Sequence, residues 1–182
     1  MKSLFLSVAV LVIALFVDVT TTVAQEYHPA GEGSSVTFKI KNFGFNIDGS
    51  FTGLQGTILF DPAAPAKASF DVSVNAASVN TDNDQRDNHL KKEEYFDVQN
   101  YPRIRFVSTS ISPGKDGKYT ISGKLTIKTT TKDISFPFTA SPIGNDYIFG
   151  GQFTINRKDF GIGGSSTISN SLTVSLAVLA KK

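Results

Sequence analysis

Few residues of this 182-residue chain could do covalent chemistry. It has two histidines and no cysteine, so a disulfide, a thiolate metal site and a cysteine nucleophile are all absent, and two imidazoles offer little to a transition metal. The most reactive constellation is Arg86-Asp87-Asn88-His89, in which Asp87 could orient His89 as a general base. Its i, i+2 spacing works against this, because residues two apart on a helix do not face one another. There is no nucleophile elbow, paired metal-ligand motif or glycine-rich phosphate loop. What remains is recognition chemistry. Arg86, His89 and Arg157 could donate hydrogen bonds to a polar or anionic ligand, or Asp87 and Arg157 could form an internal ion pair that anchors the segment carrying them. With 18 basic against 16 acidic residues the net charge is only +2. The basic pairs (Lys39/Lys41, Lys91/Lys92, Arg103/Arg105, Lys181/Lys182) are scattered, which disfavours nucleic acid as a partner.

The elements that must position these groups are almost all strands. Val36, Phe38 and Ile40 alternate with polar neighbours, as do Phe70, Val72 and Val74, and Ile121, Leu125 and Ile127. The same holds for Ile134, Phe136 and Phe138, for Phe149, Phe153 and Ile155, and for Leu172, Val174, Leu176 and Val178. A period of two with one apolar side is the mark of an antiparallel sheet with one dry face. Residues 103–111 are the least clear, because Ile104 and Phe106 oppose Val107 and Ile111. Ile47 and Phe51 fall on odd numbers but Ile58 and Phe60 on even ones, so a bulge near residues 53–56 is expected to bend one long strand. That makes eight strands, preceded by an irregular lead-in to Ser34. One short helix is expected within residues 84–96, with Thr81 and Asp84 as a capping box. It has too few apolar residues for a core helix and suits a cover over an opening. Eight one-sided strands with almost no helix to cover them imply an all-β fold, closed on itself or folded into two facing sheets.

Met1-Lys2, the apolar run from Leu4 to Val17 and the small residues ending at Ala24 have the three-part grammar of a secretory signal, too short for the ~20 residues of a membrane-spanning helix. The expected organisation is a signal peptide over residues 1–24, cleaved after Ala24, and one domain over residues 25–182 in a periplasmic or secreted setting.

A closed eight-stranded barrel is either filled by its own side chains or holds one ligand. Gly49, Gly56, Gly123 and Gly151 share the phase of the dry-face residues beside them. Each removes an inward side chain, which either lets a strand coil tightly or leaves room for a ligand. A ten-residue strand rises ~33 Å, comparable with a bilayer's ~30 Å of hydrocarbon, and each buried CH₂ contributes about 0.8 kcal/mol. A long apolar tail is therefore a reasonable occupant, and a filled-core interaction module the alternative.

Four stretches resemble the YceI-like family of polyisoprenoid-binding proteins: SSVTFKIKNFGFNIDGSFTGLQGTILFD (residues 34–61), RDNHLKKEEYFDVQNYPRIRFVS (86–108), ISGKLTIKTTTKDISFPF (121–138) and INRKDFGI (155–162). The second is the most specific, with Asp87, His89-Leu90, Phe96-Asp97, Tyr101-Pro102 and Phe106 at the family spacing. The four stand in order, and the resemblance extends over nearly all of residues 25–182. One departure is Thr129, where the family has a glycine in a turn. The resemblance implies an eight-stranded antiparallel lipocalin-like barrel, a bacterial periplasmic or secreted protein, a bound isoprenoid chain such as a quinone or polyprenyl phosphate, no other cofactor and no established catalytic reaction. The expected tail pocket is Phe38, Ile40, Phe51, Phe70, Val72, Leu125, Phe136, Phe138, Phe153 and Leu176, each equally at home as plain core, with Arg86, His89 and Arg157 near the head group. Enzymatic action of Asp87 and His89 on that head group is a further alternative. Transient membrane contact and a homodimer through an exposed sheet edge are compatible with the sequence.

Overall fold

The computed structural model describes residues 24–164 and 167–182; the expected signal segment lies almost wholly outside them. Ten strands form one antiparallel sheet: β1 (Gln25–Pro29), β2 (Ser35–Asn42), β3 (Phe45–Phe51), β4 (Gln55–Phe60), β5 (Ser69–Asn75), β6 (Arg103–Pro113), β7 (Lys118–Ile127), β8 (Thr130–Ile143), β9 (Asp146–Asn156) and β10 (Ile168–Lys181). Their order is β1-β4-β5-β6-β7-β8-β9-β10-β2-β3, and β1 also pairs with β10. β10 runs along β2 through Ile168–Ala177 and then along β1 at Ala180 and Lys181. β1 and β2 therefore share one position in the wall, and β3 and β4, their partners on the other side, share another. The result is a closed eight-position antiparallel barrel, with helix α1 (Asp84–Leu90) in the connection from β5 to β6.

The lead-in to Ser34 contains a strand after all. β1 closes the barrel and brings Tyr27 into its core; five residues with one inward apolar side chain are too few periods to reveal a strand. The break between β3 and β4 does what the phase change requires, since Ile47 and Phe51 on one side and Ile58 and Phe60 on the other all face inward. It is tied down by Thr52, whose N–H donates to Ser78 Oγ and whose carbonyl accepts from Asn75 N. Gly56 is obligatory there: its φ is +136°, and a Cβ would lie 2.0 Å from the Asp71 carbonyl oxygen. The ambiguity in β6 resolves through a second irregularity, a register shift between Ser108 and Ser110. It lets Phe106 and Ile111 share the interior despite their opposite parity.

The interior divides into two levels. At the end where β4 and β10 finish, Tyr27, Phe60, Phe70, Phe138 and Phe149 pack together, leaving only a small apolar gap of about 60 Å³ beside Phe70, Phe138 and Phe149. Their rings meet edge-to-face, with Phe60–Phe149 at 5.2 Å and 84° and Phe70–Phe149 at 5.1 Å and 82°, the arrangement that aromatic quadrupoles favour. At the opposite end the walls stay apart.

Candidate functional site

That open half is a cavity of about 490 Å³, within the ~300–1,000 Å³ range of small-molecule sites. Along β10 its lining runs from Ile168 to Val178, whereas Ala180 beyond is fully buried in the packed end. Ten residues at ~3.3 Å each, on strands tilted by about 40°, give roughly 25 Å along the barrel axis. The wall is aliphatic and aromatic, and the stacked rings of Phe136 and Phe153, 4.6 Å apart, stand where cavity gives way to packed core.

Of the residues expected in the tail pocket, Phe38, Ile40, Phe51, Val72, Leu125, Phe136, Phe153 and Leu176 line this cavity. Phe70 and Phe138 do not. They belong to the packed end, with ring centroids 5.6 Å apart and planes at 68°. Leu172 and Val174 line the cavity from the same dry-face series, and Phe106 joins them from the strand whose phase the β6 irregularity concealed. The inward glycines prove not to be empty space. The Phe38 ring lies over Gly49, where a Cβ would approach its tip to 2.3 Å. Phe106 covers Gly123 in the same way, and Phe136 lies against Gly151. These glycines let phenylalanines lie flat against the wall, which widens the cavity indirectly.

The mouth is covered by α1 and the segment after it, from which Gln85, Arg86, His89, Leu90, Tyr95 and Phe96 reach the lining. The helix cap is Asn83, whose side chain accepts from Arg86 N, rather than Thr81. Thr81 instead joins two ionic groups: it donates its amide (3.0 Å) and its hydroxyl (2.5 Å) to buried Asp87, and it accepts from Arg86 Nε and Nη2 at 2.6 and 2.5 Å. The Asp87–Arg157 ion pair is not formed. Arg157, 3% exposed, donates instead to the carbonyls of Ile162, Gly163, Ile168 and Ser169, pinning the loop from β9 to β10 that makes the rim. Asp87 and His89 do not form a dyad either. His89 lies at the surface, with Nε2 3.7 Å from Glu94 and its ring edge-on to Tyr95. Among the described residues no cluster of three or more His, Cys, Asp or Glu side chains could hold a metal.

Polar groups at the cavity are therefore few. Arg86 lines it with Nη1 uncommitted to any described residue. Asn42, at the rim end of β2, has a buried Oδ1 without a hydrogen-bond partner. Of the three arginines in the lining, Arg105 is engaged by Asp71 and Arg157 by backbone carbonyls, so such a site can enclose an apolar chain and offer the Arg86 guanidinium near its entrance.

Comparison with known proteins agrees with this architecture. The YceI-like domain model matches residues 27–180. A UPF0312 protein of Pseudomonas savastanoi pv. phaseolicola is 32% identical over 154 residues, covering 81% of this chain and 80% of that protein. One from Pseudomonas fluorescens is 38% identical over 143 residues, 72% of each. Among solved structures, Burkholderia cenocepacia BcnA superposes with a TM-score of 0.80 at 26% identity, over 84% of this chain and 99% of that one. A polyisoprenoid-binding domain from Saccharophagus degradans shares the fold (TM-score 0.68, 15% identity, 88% of this chain and 99% of that one). With its closed barrel, half-hollow interior and helix-covered mouth, the chain belongs to the YceI-like family.

Proposed function

We propose that this protein is a lipid carrier that holds the tail of a polyisoprenoid or similar long-chain lipid in the open half of its barrel, for transport, storage or sequestration. The carrying observation is the cavity itself: deep, apolar, closed at one end by aromatic packing and open at the other beneath α1. A tail of ten buried carbons gains about 8 kcal/mol before ordering costs, so affinity needs few polar contacts, and few are present. The polyisoprenoid-binding domain of the same fold supports this class of ligand. Arg86 suits a head group with acceptor oxygens, as quinones and polyprenyl phosphates have. A filled-core interaction module accounts for the packed end but not for the cavity. The setting we propose is export, with residues 1–24 removed.

Protein recovered from its native compartment should yield a long-chain lipid on organic extraction and mass spectrometry, and an N-terminus at Gln25 on sequencing. Extracts without lipid, together with no uptake in titrations with polyprenol or quinone, refute the carrier reading. An intact Met1 refutes the processing.

A further inference from the structure

We infer that the hairpin joining β2 to β3 is a membrane-contacting tip that dips into the surface of a lipid bilayer beside the cavity mouth. The inference rests on the carrier reading and adds the site from which cargo is collected. Asn42 pairs with Phe45, leaving a two-residue loop, Phe43-Gly44, with φ of +50° and +82°. Positive φ at both positions is what a tight hairpin turn needs, and Asn-Gly is its favoured occupant; a bulky phenylalanine at positive φ is strained. The strain gains no internal packing, since Phe43 is 72% exposed and Phe45 76%. They are the two most exposed large apolar residues described. The other is Ile143, at the far end of the barrel, where the turns at 31–33, 61–68, 114–117 and 144–145 contain no aromatic residue.

Location and area select the occupant. Phe45 has the inward phase of Ile47, which lines the cavity, and the Phe43 N–H donates to the Thr167 carbonyl at the start of the neighbouring strand β10, which extends the wall to the tip. The apolar wall thus continues out of the cavity onto the tip. Two rings about three-quarters exposed offer roughly 300 Å², well short of the ~800 Å² per partner of a stable protein interface. A bilayer needs no shape-matched partner surface. The connections at this end of the barrel carry mixed charge, with Lys91, Lys92, Lys128 and Lys158 against Asp82, Asp84, Glu93, Glu94 and Asp159, so apolar insertion rather than attraction to anionic lipid holds the contact.

The test uses residues 25–182, the proposed exported form, which contain every described strand and the described helix, mixed with zwitterionic phosphatidylcholine vesicles and assayed by co-sedimentation. The parent should partition, with little change between 50 and 500 mM salt. F43N and F45T should each lower the partition coefficient about tenfold. F43N should also raise the Tm, by about 2 °C, because asparagine suits the turn; a purely structural Phe43 gives the opposite sign. No partition, unchanged partition in the variants, binding only to anionic vesicles at low salt, or a dimer that both variants abolish each overturns the inference. Polyprenol uptake from detergent solution, read by mass spectrometry, separates the two readings. Uptake without vesicle binding removes only the tip, whereas vesicle binding without uptake removes the carrier.

Discussion

Replacing Phe60 with alanine strikes the packed end at its centre. The ring is fully buried and meets Tyr119, Tyr147 and Phe149 at 5.5, 5.3 and 5.2 Å. The resulting hole is bordered by these three rings, all on paired strands, which cannot collapse into it without moving the wall. The loss should therefore fall in the full Phe→Ala range of about 3–5 kcal/mol. For a barrel of this size, where 1 kcal/mol shifts the Tm by about 2–4 °C, that is a drop on the order of 10 °C. Leu172→Ala is the matched comparison. Leu172 is half-buried and already borders the cavity, so its truncation enlarges an existing space and should cost only about 1–2 kcal/mol, below the range for a close-packed leucine. Urea titrations and thermal scans followed by circular dichroism measure both. If the two variants lose equal stability, or if Phe60→Ala costs less than Leu172→Ala, the division into a packed and a hollow level is wrong.

Gly56→Ala should cost more than Gly49→Ala in the same titrations, because the new methyl meets a backbone carbonyl at positive φ in one case and the tip of the Phe38 ring in the other. Arg157→Lys should destabilise by about 2–3 kcal/mol and speed proteolysis between residues 161 and 169, since one ammonium cannot serve four carbonyls spread over the rim loop; unchanged proteolysis would show that the loop stands without it. Asn42→Leu removes a buried acceptor that has no partner and should be neutral or stabilising by up to about 1 kcal/mol. The Arg105 guanidinium, hydrogen-bonded to Asp71, holds that carboxyl below the ordinary aspartate range. Its contribution is therefore full above that range and is lost as acid protonates the folded carboxylate. Both side chains are about half exposed, so the difference between parent and Asp71→Asn across the acid limb should stay under about 1 kcal/mol.

Alternation along each strand made the inside and outside of the barrel legible, but height within it was not. Phe136 and Phe138, or Phe70 and Val72, have identical phase and lie only ~6.6 Å apart along a strand; which of each pair borders the cavity depends on how the strands are staggered, a property of their pairing rather than of either sequence alone. The glycines carried a similar ambiguity. Their phase showed that an inward side chain was missing, yet only the partner across the sheet shows that a phenyl ring takes the space, as Phe38 does over Gly49. The Asp87–Arg157 ion pair that the sequence allows does not form, because Thr81 and four backbone carbonyls, none distinctive in a sequence, serve as partners of Asp87 and Arg157.

The wedge of rings from Tyr27 to Phe149 gives the barrel a floor. A vessel with a floor has one doorway, so nothing can thread through from one side to the other, and whatever goes in must back out along the path by which it came. On the proposed carrier reading, cargo with a greasy end and a wet end would ride with the wet end outermost, already presented to the next recipient. The shape is that of a cup rather than a pipe.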